Sequence, residues 1–96
     1  MPNAIVSGRF KNSENNFVIL EVFRPNPNGY DFKRSYDNDF DESLSNLIPG
    51  VTYIVDVTGH TTGIFELEIS GDIDGSPSLT AAGVINDSLT FTVKNN

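Results

Sequence analysis

The 96-residue chain has no cysteine and no tryptophan, a single histidine and a single methionine. Without cysteine, neither a disulfide framework nor a thiolate metal site can form. The lone His60 leaves a zinc site short of its usual ligands. A serine nucleophile would have to use that same histidine as its base, with no G-x-S-x-G elbow to present the hydroxyl. The glycine-containing stretch GDIDG (71–75) lacks both the spacing and the lysine of a phosphate-cradling loop. No apolar run approaches the roughly 20 residues of a membrane-spanning helix. The N-terminus, MPNAIVSGRF, lacks a basic segment followed by an apolar core, so no secretory signal is visible. Location is thereby left open between the cell interior and export by a route without a cleaved signal. Bases are scarce and scattered: Arg9, Lys11, Arg24, Lys33, Arg34 and Lys94 stand against 13 acids, for a formal charge of −7. Such a surface repels polyanions, which disfavours nucleic acid and anionic membranes as partners and keeps a small domain soluble.

What the chain does have is alternation. Val51, Tyr53, Val55 and Val57 share one parity, and Thr52, Ile54, Asp56 and Thr58 the other. Phe65, Leu67 and Ile69 repeat the pattern against Ile64, Glu66, Glu68 and Ser70. Side chains two apart fall on one face of a strand, so each run predicts a strand with one apolar and one polar side. The polar stretch Gly59–Gly63 between them reads as a tight connection. Further strands are expected at Ala4–Phe10, Phe17–Arg24, Tyr30–Tyr36, Leu79–Ile85 and Ser88–Lys94, with a short edge strand around Phe40–Leu44. Asn28-Gly29 suits a hairpin turn, while Lys11–Asn16, Gly71–Ser78 and Asn86-Asp87 read as connections. Phe17–Arg24 (FVILEVFR) is apolar nearly throughout and predicts a strand covered on both faces. No segment carries the 3.6-residue period of a helix. Short strands broken by Gly, Pro, Asn and Asp predict an all-β domain spanning 1–96, an antiparallel β-sandwich of about seven strands, immunoglobulin-like or jelly-roll-like. With only 38% of residues apolar, its core is expected to be thin.

Leu44, Leu47, Pro49-Gly50, Tyr53, Val55 and Val57 follow the order L-x-x-L-x-P-G-x-x-Y-x-V-x-V. This resembles the strand-turn-strand of fibronectin type III modules, in which a tyrosine forms a corner. The resemblance implies that the Tyr53 hydroxyl bonds back to backbone a few residues upstream. The continuation, TYIVDVTGHTTGIFELEI, is similar to the last hairpin of bacterial pre-peptidase C-terminal domains. About a quarter of the chain is covered, and the segments after Ile69 depart from both patterns. The resemblance implies a sandwich architecture and a non-catalytic role in adhesion, spacing or ligand binding.

Calcium is the most specific chemistry the residues suggest. Asp37, Asp39 and Asp41 alternate as in the opening of an EF-hand loop, and Asp72 and Asp74 flank the bend at Gly75. Hard cations need six to eight oxygens, which alternate acids with a glycine bend supply in part. Glu42 and Ile48, however, occupy the glycine and bidentate-glutamate positions of that loop. A strand within 37–45 would also place the two acidic loops at opposite ends of a sandwich, where they cannot share an ion. Sugar binding is the other chemistry: Tyr30, Phe32, Tyr36 and Phe40 lie beside Asp37, Asn38 and Asp39, aromatic faces with hydroxyl-binding partners. Tyr36, Asp37, Asn38, Asp39 and Asp41 are therefore the candidate ligand-binding residues, and Asp37, Asp39, Asp41, Asp72 and Asp74 the candidate metal ligands. Glu66 and Glu68, about 6.5–7 Å apart along a strand, have the spacing of a glycosidase pair, but exposed acids on a strand more often guard it against edge pairing. Asn86-Asp87-Ser88 fits a glycosylation sequon and reads most simply as a turn. The expected function is a non-catalytic module acting through protein–protein contacts or self-association, with a small, calcium-assisted or calcium-free carbohydrate binder as the alternative. No enzyme activity and no cofactor other than calcium is expected.

Overall fold

The computed structural model describes residues 2–11, 14–24 and 31–95. It contains six strands: β1 (Ala4–Lys11), β2 (Asn16–Phe23), β3 (Asp31–Tyr36), β4 (Phe40–Leu44), β5 (Thr52–Gly71) and β6 (Ser78–Thr92). Every pairing between them is antiparallel, and the described residues contain no helix. β5 is the organising element. One of its edges pairs with β2 along its first half and with β1 along its second, and the other edge carries β6. β3 lies outside β2 and β4 outside β1, giving the order β3-β2-β5-β1-β4 with β6 on β5. In effect β1 and β2 run in line beside β5, and β3 and β4 run in line beside them.

The sheet is curled. A straight strand of 20 residues would span about 63 Å, yet the longest dimension of the molecule is 41 Å. The ends of the ribbon meet. β4 finishes beside Ala4 and Gly71, β5 starts beside Phe23, and the short link 45–51 joins them. An isolated bridge, Ile73 to Val93, closes the same gap, with Asp74 N–H on Thr92 O at 2.9 Å and Lys94 N–H on Asp72 O at 3.0 Å. Across the open side, Arg34 of β3 reaches Glu42 of β4 at 3.1 Å, and the Tyr36 hydroxyl donates to the same carboxylate.

Two features make the bend. Gly59 has φ 151°, and a Cβ there would overlap the Phe17 carbonyl oxygen, so β2 approaches β5 as closely as it does only because no side chain intervenes. Next, Thr62 and Gly63 bulge out between the Thr61–Gly83 and Ile64–Ala82 pairs. The buried Thr61 hydroxyl donates to Asn16 Oδ1 at 2.9 Å and accepts the Gly63 N–H at 3.2 Å, and the Thr62 hydroxyl accepts the Glu14 N–H at 3.2 Å. Two extra residues preserve parity, so odd-numbered side chains face inward along the whole of β5: Tyr53, Val55, Val57, Thr61, Phe65, Leu67 and Ile69 are all buried. Val6, Val18, Leu20, Val22, Phe40, Leu44, Ile85 and Phe91 complete one core on the inner face. Gly8 makes room in it, since a Cβ at that position would overlap the Phe40 ring.

The all-β antiparallel expectation is met, but the described residues hold six strands in one continuous sheet. Val51–Thr58 and Ile64–Ser70 are parts of one bent strand, because the Gly- and Thr-rich stretch between them is a bulge. Leu79–Ile85 and Ser88–Lys94 likewise merge, Asn86-Asp87 lying within β6 opposite Thr58 and Val57. Polar residues and glycine serve bends as well as reversals, so composition did not distinguish the two. Phe17–Arg24 has a strand on each side, but its faces are unequal: Val18, Leu20 and Val22 are buried, Ile19, Glu21 and Phe23 are half-buried, and Phe17 is 39% exposed. Asn28-Gly29 and Tyr30 lie outside the described residues.

Candidate functional site

The Tyr53 hydroxyl accepts the Ile48 N–H at 3.0 Å, the upstream back-bond that a tyrosine corner makes. It fastens the link 45–51 to β5, and with it the end of the fold where Asp72–Asp74 docks on β6.

The turn between β3 and β4 lies at the opposite, bent end. Asp39 Oδ1 accepts the Phe10 N–H at 2.8 Å, and Asn38 Oδ1 accepts the Asp39 N–H at 3.1 Å, so both side chains shape the turn. Beside it opens a shallow concavity of about 310 Å³ lined by Phe17, Ser35, Tyr36, Asp37, Asn38 and Asp39. The Asp37 carboxylate has no hydrogen-bond or ion-pair partner among the described residues. Tyr36 turns inward: its ring stacks on Phe40 with centroids 3.8 Å apart, and its hydroxyl is committed to Glu42. Burial, then the hydrogen bond and charge of Glu42, push the Tyr36 hydroxyl well above its ordinary value of 10.0, with Arg34 opposing.

Four of the sequence-derived ligand-binding residues thus line one concavity. Asp41 does not. It pairs with Arg9 at 2.9 Å, and hydrogen bonds from Ser7 and then Arg9 hold it below its ordinary 3.8. Asp72 accepts the Asn3 N–H at 3.1 Å, at the far end of β1 from Asp39. The rise of the intervening strand separates the two acidic loops by roughly 23 Å. Among the described residues no group of three or more His, Asp or Glu is placed to hold a metal ion. Of the remaining candidates, Phe32 is half-buried with the Arg34 guanidinium 5.5 Å from its ring centroid, and Phe40 belongs to the core. Glu66 is paired with Lys11 at 2.8 Å. His60 sits within β5, its ring 6.4 Å from Phe17, rather than in a turn.

Two features escaped the sequence reading. Phe17 is one, because an unbroken apolar run concealed its outward parity. The other is the open edge of β6, where Asn86-Asp87-Ser88 looked like a reversal. β6 pairs with β5 alone among the described strands. The opposite edge is guarded by charge, with Lys33 and Arg34 on β3 and Asp41 and Glu42 on β4. β6 has one charged residue in its 15, Asp87, and neither lysine nor proline. No family model, curated protein or solved structure matches this chain. No helix among the described residues is long and apolar enough to cross a membrane.

Proposed function

We infer that this is a non-catalytic module that acts through protein–protein contacts, and that the open edge of β6 is its contact surface. The observation that carries the reading is the unguarded edge: natural sheets blunt exposed edges with charge, proline or bulges, and β6 from Val84 to Thr90 has only Asp87. An added strand gains main-chain hydrogen bonds there and reads alternate side chains for specificity. The two bent halves of the sheet act as the layers of a small sandwich. On this reading the Tyr53 corner is the feature shared with fibronectin type III-like modules. Titrating the labelled protein with a panel of extended peptides, followed by amide NMR, tests the assignment. Responses should concentrate at Asn86, Ser88 and Thr90 and vanish in Ser88→Pro; responses elsewhere, or none, sink it.

A second reading, a carbohydrate-binding module, is favoured by the concavity at Phe17, where an exposed ring stands beside Asn38, Ser35 and Asp37, the last without a partner among the described residues. A sugar would lay its apolar face on the ring and give its hydroxyls to the polar side chains. Calorimetry against a glycan panel, with and without calcium, should show binding that Phe17→Ala abolishes; a silent panel removes this reading.

A further inference from the structure

We propose that the β6 edge pairs with the β6 edge of a second copy of this chain, antiparallel about a two-fold axis through Ser88; this rests on the edge reading above. Backbone direction sets the register. Val93 N–H bonds to Val51 O at 3.0 Å, so Val93 and, by antiparallel alternation, Phe91, Leu89 and Asp87 turn their backbone groups toward β5. Asn86, Ser88 and Thr90 therefore turn theirs to the open edge.

The fold already uses this edge once. The segment Asp72–Asp74 docks on it antiparallel, occupying Thr92 O and Lys94 N–H. This side of β6 therefore accepts an antiparallel partner at its end, and Thr92, already occupied, marks where a second copy stops. At the other end Gly83, with φ 70°, kinks the strand. The window between these limits, Val84 to Thr92, is centred on Ser88, a residue that presents its N–H and C=O outward. Pairing Ser88 with Ser88 of the other copy sets Asn86 opposite Thr90, so the edge groups of all three residues are matched.

Side chains fit the same register. On the outer face Ser88 meets Ser88, and Asn86 meets Thr90, all polar and exposed. On the other face Asp87 lies opposite Leu89, so the one charge in the window never faces its own copy. An axis through Asp87 would oppose like charges and present backbone groups that β5 already uses. A charge of −7 per chain opposes association at long range, so salt should strengthen the dimer.

Sedimentation equilibrium of the full chain should show a concentration-dependent species of twice 10.5 kDa, stronger at higher salt. Ser88→Pro should sediment as a monomer with nearly unchanged melting temperature, because that N–H does not bond to β5. Ser88→Lys, which leaves backbone donors intact, should weaken the dimer by placing like charges across the axis, and salt should restore it. As the chain has no cysteine, Ser88→Cys should join in pairs with a short thiol cross-linker, whereas Ser45→Cys should not. A dimer that persists in Ser88→Pro and resists cross-linking at position 88 overturns the proposal. So does a chain that stays monomeric at every concentration; if its edge amides still respond to strand peptides, the edge reading survives, and if they do not, both fall.

Discussion

Tyr53→Phe would keep the ring against Phe91, whose centroid lies 5.3 Å away, and remove the acceptor of the Ile48 N–H. Losing one hydrogen bond while stranding its donor costs about 1–3 kcal/mol, so urea unfolding should show a lower midpoint at unchanged slope. Gly8→Ala tests a different requirement, that of space. Its methyl would displace the Phe40 ring and with it the stack on Tyr36. Overpacking of this kind costs about 1–3 kcal/mol, and the double variant with Phe40→Leu should lose less than the two single losses added. Titration gives two further outcomes. Asp41 is held below its ordinary value, so its stabilisation is complete above that value and drains as pH falls through it. Tyr36 is held above its ordinary value, so its stabilisation is complete below 10.0 and is lost as pH climbs further. Comparison with the parent protein should therefore show Asp41→Asn slightly reducing whatever stability is lost at acid pH, the pair being exposed, and Tyr36→Phe reducing the loss at alkaline pH.

At the scale of the element, β5 shows what periodicity can and cannot convey. Inward residues on both sides of Gly59–Gly63 were legible because a strand puts alternate side chains on one face. That the two runs form one strand was not legible, since either a reversal or a bulge satisfies the pattern. The partners decide it: β6 is long enough to pair with both halves, and at the bend Thr61 bonds Asn16 of β2 and the Gly63 N–H while Thr62 takes the Glu14 N–H. Thr61→Val removes the hydroxyl at near-constant volume and leaves Asn16 Oδ1 and the Gly63 N–H without that partner. A loss of about 1–3 kcal/mol is expected in chemical unfolding, with faster hydrogen exchange around residues 60–64 than at Val55 or Leu67. The candidate site divides in the same way. Asp37, Asn38 and Asp39 were visible as a polar turn beside Tyr36, whereas Phe17 joins them only because β2 pairs with β3 in the observed register.

Taken as a whole, the molecule is an acidic shell around a thin core. The described ion pairs, Arg9–Asp41, Lys11–Glu66 and Arg34–Glu42, all have at least one largely exposed partner and contribute little. Net repulsion among the remaining acids outweighs them, so adding neutral salt in the range that shortens the Debye length from about 30 to 8 Å should raise the melting temperature. A fall on adding salt would mean that the ion pairs govern instead. The closure of the curl acts at this same scale. Asp72–Asp74 holds the two ends of the ribbon together, and the Arg34–Glu42–Tyr36 contact holds its open side.

The sequence by itself determined the alternating runs, most of their inward faces, the lack of helix among the described residues, the tyrosine back-bond and the acidic character of the surface. Each of these is local, set by side-chain alternation, by one turn motif or by charge count. Tertiary structure alone decided that the strands form one curled sheet, that Asp41 and the Asp72–Asp74 loop stand apart from the concavity at Phe17, and that β6 pairs with β5 alone among the described strands. Those outcomes depend on which strand lies beside which. Pairing is a contest among backbone groups that look alike in every residue, and it is settled only when the core closes.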